Sequence, residues 1–342
     1  MFTQDDLCAT YGDPWAAATV PFMNNAAPTM RAITQQRLGG ADELILTTKP
    51  RPAPLPTEVL VRVTAAGVNP VDWKTREGNG MAGVLGEPPF VLGWDVAGVV
   101  EEVGFGVTTL AVGDRVFGMP WFPRQAGAYA EYVTAPSRQF VKVPDVLSDV
   151  QAAAVPLAAL TAWQALVDTA GVSAGDRVLV TAGAGGVGHL AVQLAKHLGA
   201  HVTATASERN HAWLRSIGAD DVVDYHDPEY LTTVKDIDAI IELTGADQVR
   251  IASTLRPGGI IVAVPGGVSA ELGAAATAAG FRTSAFLVEP DGAALTTIAG
   301  LLSAGQVTVE VARTFPIADV AKAHALGETN RTRGKIVLEV AR

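Results

Sequence analysis

Apolar and polar positions follow two different rhythms along the 342 residues. From Met30 to about Val150 the alternation is short and strand-like, interrupted by Gly and Pro. It predicts strands at Leu44–Thr48, Val59–Ala66, Val96–Val103, Arg115–Gly118, Ala128–Val133 and Gln139–Lys142. Short strands packed that densely between turns point to an antiparallel, barrel-like lobe. From about Ala152 the period lengthens. Helical runs now separate strands at Arg177–Thr181, His201–Ala204, Val222–Asp224, Ala239–Leu243, Ile260–Val264 and Arg282–Val288, which predicts a parallel sheet with helices on both faces. A last segment, roughly Asp291 to Arg342, ends in a strand at Lys335–Val340 and is expected to return to the first lobe. The predicted division is an extension over 1–29, one lobe from 30–150 with 291–342, and an inserted lobe over 151–290. Two lobes imply a cleft, with a ligand site at the carboxyl ends of the parallel strands.

One turn in the inserted lobe carries chemistry. Gly183, Gly185 and Gly188 stand in the order G-x-G-x-x-G, with Gly186 among them, directly after the β-branched run at Val178. Glycine suits a tight turn at the first position, close approach of a pyrophosphate at the second and helix–strand contact at the third. Val187, Leu190, Ala191, Leu194 and Leu198 then recur at helical spacing. They predict a helix whose free N–H groups and partial positive charge face an anion. Strand, turn and helix together point to a dinucleotide site.

Bulk properties narrow the classes further. Apolar content of 49% and charged content of 18% describe a soluble globular protein, and no apolar run is long enough to span a bilayer. A formal charge of −10 argues against a phosphate-backbone-binding surface, so neither nucleic acid nor membrane is an expected partner. The single cysteine, Cys8, excludes internal disulfides and fits a reducing cytoplasm. The first 29 residues hold no Lys, Arg or His and lack the pattern of an export signal. They read as a flexible extension before Met30, with a lid or packing arm as the alternative.

The cofactor's second ribose is read about 20 residues past the glycines, where NAD sites place an acidic residue. Here the chain runs Ala204-Thr205-Ala206-Ser207-Glu208-Arg209, and the neutral Thr205 takes the position expected for the carboxylate. Ser207 and Arg209 can donate to a 2′-phosphate, which favours NADPH. In the alternative, Glu208 fills the acidic role and Arg209 is a solvated charge at a helix start.

Several ordered segments resemble one family. They are Gly67-Val68-Asn69-Pro70-Val71-Asp72, Gly93-Trp94-Asp95-Val96-Ala97-Gly98, Gly113-Asp114-Arg115-Val116, Gly127-Ala128-Tyr129-Ala130-Glu131-Tyr132, the glycine turn, Arg256-Pro257-Gly258-Gly259 and Gly334-Lys335-Ile336-Val337-Leu338. The chain from Met30 onward resembles the zinc-independent, quinone oxidoreductase-like branch of the medium-chain dehydrogenase/reductase superfamily. The resemblance implies an α/β chain: a doubly wound Rossmann sheet beside a GroES-like antiparallel β-barrel lobe. It also implies NADPH and a homodimer formed along the last sheet strand, near Arg282–Val288. Zinc is disfavoured on donor chemistry too, since a catalytic site needs three ligands and an open position. All 6 histidines lie at 189 or later, Asn69 stands where zinc-dependent relatives carry a cysteine, and Trp94 where they carry a histidine. Asp95 reads as a buried hydrogen-bonding residue near the lobe junction.

Without a metal, the chain need only hold an acceptor carbon against the nicotinamide and stabilise the oxyanion that forms. Quinones and α,β-unsaturated carbonyls suit that chemistry. Asn69 and Lys74 are the candidates near the carbonyl. Position 74 is often Tyr in the family; Lys there is similar to plant enone and alkenal reductases and favours enone reduction. Two readings of Lys74 stand: an ammonium that stabilises an enolate, or a solvated surface amine. Asn69 reads more as a contact to the nicotinamide ribose or amide, and Asp72 as a turn cap or a partner of Lys74. The resemblance also places Thr161, Tyr225, Thr244, Gly245, Pro265, Arg333 and Lys335 at the cofactor, besides Gly183, Gly185, Gly186, Val187, Gly188, Ser207 and Arg209. For Thr161 the alternative is a hydroxyl bonded within its own helix; for Tyr225, packing on the sheet. Arg333 and Lys335 either close over the cofactor or are solvated. Trp121, Phe122 and Phe286 are candidates for a flat apolar acceptor pocket. Competing functions are an enoyl-thioester reductase and an NADPH-binding interaction protein without turnover.

Overall fold

A computed structural model describes residues 28–340. The extension expected over 1–29, with Cys8, lies almost wholly outside the described residues.

The inserted lobe is built on a six-stranded parallel sheet. From edge to edge its strands are Asp221–Val223, His201–Thr205, Arg177–Val180, Ile237–Glu242, Leu255–Ala263 and Arg282–Ser284. The chain enters at the third of these, works outward to one edge, then crosses over to the fourth. The switch point therefore falls between Arg177–Val180 and Ile237–Glu242, where a ligand crevice opens at the carboxyl ends. The central strands carry continuous buried apolar runs, Val178–Val180, Ala239–Ile241 and Ile260–Ala263, as expected where helices cover both faces. Val178 and Val180 pack into the core shared with the lobe junction, and Leu179 between them faces the opposite core with Ile240 and Ile261.

The first lobe wraps a seven-stranded sheet. Its strands run Val311–Pro316, Lys335–Glu339, Glu58–Val68, Asp95–Val103, Arg115–Gly118 and Phe140–Lys142, with Tyr132–Pro136 also pairing with Glu58–Val68. A three-stranded sheet of Leu44–Pro50, Thr29–Gln35 and Phe90–Val91 stands beside it. Strand Lys335–Glu339 joins this lobe's sheet: Ile336 pairs with Val68 and Glu339 with Ala65, antiparallel. Helix Gly292–Ser303, which begins that segment, packs on both helix Pro156–Trp163 and strand Phe140–Lys142. No helix among the described residues is long and apolar enough to cross a membrane.

Two expectations are corrected and one strand is new. The strand expected at Arg282–Val288 ends at Ser284, because its neighbour Leu255–Ala263 ends there too, the last pair being Val262 with Ser284; further on, the Glu289 backbone is held by the Gln164 amide at 2.9 and 3.0 Å. The strand expected at Ala128–Val133 lies at Tyr132–Pro136. Tyr129 instead donates its N–H to the Leu92 carbonyl and accepts from the Ile33 N–H, beside the three-stranded sheet. Val311–Pro316 was not expected at all; most of it is exposed, so no apolar alternation marks it.

Candidate functional site

The glycine turn connects strand Arg177–Val180 to helix Gly188–His197. A Cβ at Gly183 would sit 2.9 Å from the Ala204 Cβ, and one at Gly188 only 2.8 Å from the Gly183 Cα. Glycine at these two positions is what lets the turn, the second strand and the helix touch. The helix has no side-chain cap and no acidic residue in its first turn, so the partial positive charge of its N-terminus is not offset by the chain's own side chains there. Gly186 and Val187 lie just ahead of it. This turn fits a dinucleotide pyrophosphate.

A buried histidine absent from the sequence reading fastens the turn from behind. His189 Nδ1 lies 2.9 Å from the Gly185 carbonyl, while Nε2 accepts from the Glu310 N–H at 3.2 Å. That pairing requires the neutral Nδ1–H tautomer. Burial lowers its pKa to about 4, which keeps the ring neutral. Glu242, also unforeseen and fully buried, does the same one strand over. It accepts from the Thr244 N–H at 2.6 Å and from the Gly245 N–H at 3.0 Å. Thr244, Gly245 and Pro265 thus meet at adjacent strand ends, the Pro265 carbonyl lying 3.3 Å from where a Gly245 Cβ would be.

The lobe junction holds a chain of buried polar groups. Asp95 Oδ1 accepts from Leu157 N at 2.7 Å, capping helix Pro156–Trp163, and Oδ2 accepts from Asn69 Nδ2 at 2.8 Å. The Lys335 ammonium is 3.3 Å from the same Oδ2 and also donates to Asn69 Oδ1 and the Val68 carbonyl. Its stem passes beneath the glycine turn, Cδ lying 3.1 Å from where a Gly186 Cβ would be. Lys335 therefore supports the turn from within the junction instead of closing over it from solvent. Asn69, 1% exposed, is bound on both ends of its amide.

Asp72 extends this chain away from the turn. Its Oδ2 accepts from Asn69 N at 2.7 Å and from the Tyr129 hydroxyl at 2.8 Å; Lys74 is not its partner. Tyr129 meets His324 Nε2 at 3.3 Å, and His324 Nδ1 accepts from Arg76. Burial is the main reason the Asp72 pKa rises to about 7 and that of His324 falls to about 3. Asp72 Oδ1 is buried without a hydrogen-bond partner.

Around the crevice the remaining candidates separate. The Thr161 hydroxyl donates to Leu157 O at 2.7 Å within its own helix, which leaves its lone pairs free to accept. Lys74 is exposed, on a helix whose Asp72, Thr75 and Arg76 are buried. It lies one turn beyond Val71, which packs against the junction core. Phe122 packs edge-on against Trp94 at 5.3 Å, and Phe286 joins the same core. Trp121 does not share that wall: it packs with the first lobe's own core and donates to Thr134 O at 2.7 Å. At the end of the second strand, the Thr205 hydroxyl accepts from Ala182 N at 3.0 Å, so no carboxylate occupies that position. Ser207, Glu208 and Arg209 follow, the last two exposed. Tyr225 is exposed and leans on His226 with ring centres 4.1 Å apart. Arg333 pairs with Glu310 at 2.6 Å and lies over the Trp213 ring.

Residues 55–145 match the family described as alcohol dehydrogenase GroES-like domain, and residues 217–338 the family described as zinc-binding dehydrogenase. The chain is 35% identical to the chloroplastic NADPH-dependent alkenal/one oxidoreductase of Arabidopsis thaliana, over 94% of this chain and 83% of that protein. The quinone oxidoreductase of Coxiella burnetii superposes with a TM-score of 0.87 at 38% identity, over 92% of this chain and all (100%) of that one. The chain belongs to the quinone oxidoreductase-like branch of the medium-chain dehydrogenase/reductase superfamily. A second member of this superfamily's fold, a mycobacterial protein complexed with NADPH, superposes with a TM-score of 0.80 at 33% identity, over 91% and 100% of the two chains. This medium-chain reductase is thus an oxidoreductase with a nicotinamide cofactor.

One matched family is named for zinc, so the junction's donors decide whether that metal fits. Trp94 offers only an indole N–H, spent on Arg124 O at 2.6 Å, and both Asp95 oxygens are already engaged. Among the described residues no group of three or more His, Cys, Asp or Glu is placed to hold a metal ion. These residues do not fit a catalytic zinc site.

Proposed function

We propose that this reductase uses NADPH, without a metal, to deliver hydride to the C=C of an α,β-unsaturated carbonyl or to a quinone. The observation that carries the reading is the uncapped helix start behind Gly183–Gly188, opening at the switch point of the parallel sheet. In this reading Gly183, Gly185, Gly186, Val187 and Gly188 hold the pyrophosphate, while Ser207, Arg209 and Tyr225 flank the 2′-phosphate. Thr161, Thr244 and Pro265 border the nicotinamide, and Asn69 orients it. Bound NADPH supplies the hydride.

The chain's own residues then have three tasks. Asn69, locked between Asp95 and Lys335, gives the cofactor end of the crevice one fixed geometry. Phe122 and Phe286 present apolar surface that keeps water from the acceptor carbon. Lys74, exposed and without a carboxylate partner among the described residues, places its ammonium beside the oxygen where negative charge develops. The Arabidopsis relative is named for alkenals and alkenones, which supports the enone over the quinone. Among the described residues the edge strand Arg282–Ser284 has one unpaired side in the sheet, which supports a homodimer assembled along it.

The test is NADPH oxidation, followed by absorbance, with alkenals, enones, quinones and enoyl thioesters in parallel. Turnover of enones or quinones is expected. Turnover confined to thioesters would replace the substrate class, and cofactor binding without oxidation across the panel would replace the enzyme with a binding protein.

A further inference from the structure

The final segment brings one more arginine to the cofactor-binding lobe. An Arg209 guanidinium nitrogen donates to the Arg331 carbonyl at 3.1 Å, across 122 residues of sequence. The placement is fixed from several sides. Asn330 takes a left-handed φ of 53°, which turns the chain off the helix ending at Glu328. Gly334 N then donates to the Ala184 carbonyl of the glycine turn at 3.0 Å. Residues 331–334 therefore run from the end of strand His201–Thr205 to the turn itself, along the edge where this fold lays the adenosine half of a dinucleotide.

The cations of this segment are not equivalent. Lys335 is neutralised by Asp95, and Arg333 by Glu310. Arg331 is exposed and pairs with no carboxylate among the described residues, and Arg209 spends one donor on a carbonyl. Two arginines with unspent guanidinium donors thus meet at the ribose end of the crevice, the Arg209 side chain reaching the Arg331 backbone. A phosphate monoester carries nearly two negative charges and several acceptor oxygens, and planar guanidinium forks match it in charge and geometry. Glu208 stands in the same turn and opposes an anion there, so one arginine alone leaves the local charge near zero.

We propose that Arg331 is a specificity-determining residue, forming with Arg209 a two-guanidinium clamp on the cofactor's 2′-phosphate. This rests on the NADPH reading above. Calorimetric titrations of the full chain with NADPH, NADH and the probe 2′,5′-ADP keep the two claims apart. The unmodified protein should bind NADPH more tightly than NADH. Arg331→Ala should raise the NADPH and 2′,5′-ADP dissociation constants about tenfold or more while leaving NADH within about twofold, and Arg331→Lys should recover part of the loss. Glu208→Gln should shift the constants in the opposite direction. If the unmodified protein prefers NADPH and Arg331→Ala leaves that preference intact, the clamp is wrong and the NADPH reading stands. Equal weakening of both coenzymes also overturns the clamp. An unmodified protein that does not discriminate overturns both.

Discussion

Alanine substitutions at Gly185 and Gly188, in the same turn, should fail in different ways. At Gly188 an added Cβ meets backbone: it falls within contact of the Ala182 carbonyl oxygen and 2.8 Å from the Gly183 Cα. Carbon atoms rest at about 3.5–4.0 Å, so helix and turn must separate by roughly 1 Å, and no rotamer relieves it. Overpacking of that kind costs about 1–3 kcal/mol. At about 2–4 °C per kcal/mol for a lobe of this size, Gly188→Ala should lower the melting temperature by several degrees. At Gly185 the nearest atom is the Ala182 carbonyl oxygen at 3.2 Å, which a shift of a few tenths of an ångström accommodates. Gly185→Ala should therefore melt close to the unmodified protein yet bind NADPH at least tenfold more weakly, because its methyl enters the space the pyrophosphate needs. Thermal unfolding without cofactor and calorimetric titration with it separate the two effects. Unchanged cofactor affinity in Gly185→Ala, or an unchanged melting temperature in Gly188→Ala, would refute these assignments.

Other predictions concern the acceptor side and the junction. Lys74→Met should cut turnover with an enone about 10²-fold while leaving the NADPH dissociation constant alone; unchanged turnover would return Lys74 to the solvated surface. Lys335→Met leaves the Asp95 carboxylate buried without its cation, at a cost of about 3–5 kcal/mol in urea unfolding, and adding Asp95→Asn should restore part of it. A Lys335→Met protein as stable as the parent would contradict the pairing. Asp72, raised from 3.8 to about 7, binds a proton in the folded state that the unfolded chain has lost. It therefore costs stability as pH rises from about 4 to 7. Asp72→Asn removes that penalty, so its stability relative to the parent should climb by at most about 1.4 kcal/mol per pH unit in that window and level off above it; a difference independent of pH would count against the buried proton. His189, lowered to about 4, works in the other direction: its contribution is lost as pH falls from about 6.5 toward 4, so His189→Gln should blunt acid unfolding in that range.

What the sequence disclosed and what it withheld divide along a physical line. The glycine turn was legible because its demands are local: Gly183 and Gly188 are required by neighbours a few residues or one strand away. The parallel strands were legible because burial on both faces makes their apolar runs continuous. Relations between distant residues were not legible. Nothing in Arg76, Tyr129 or His324 alone announces that they end up joined to Asp72, and the Lys335–Asn69 contact spans 266 positions. Trp121 and Phe122 read as one aromatic wall, yet consecutive side chains diverge, and here they enter different cores. His189 and Glu242 escaped notice for a related reason. Each is a polar residue inside an apolar stretch, and only the folded backbone shows the N–H and carbonyl groups it satisfies.

The central claim is hydride transfer from a coenzyme at the glycine turn to a conjugated acceptor with no metal involved. It is tested most directly with NADPH deuterated at nicotinamide C4, a simple enone and protein stripped by a chelator, the product being read by mass spectrometry and NMR. One deuterium at the β-carbon, at a rate the chelator does not change, is the predicted result. Absence of label in the product, or activity that disappears with the chelator and returns with zinc, would contradict it.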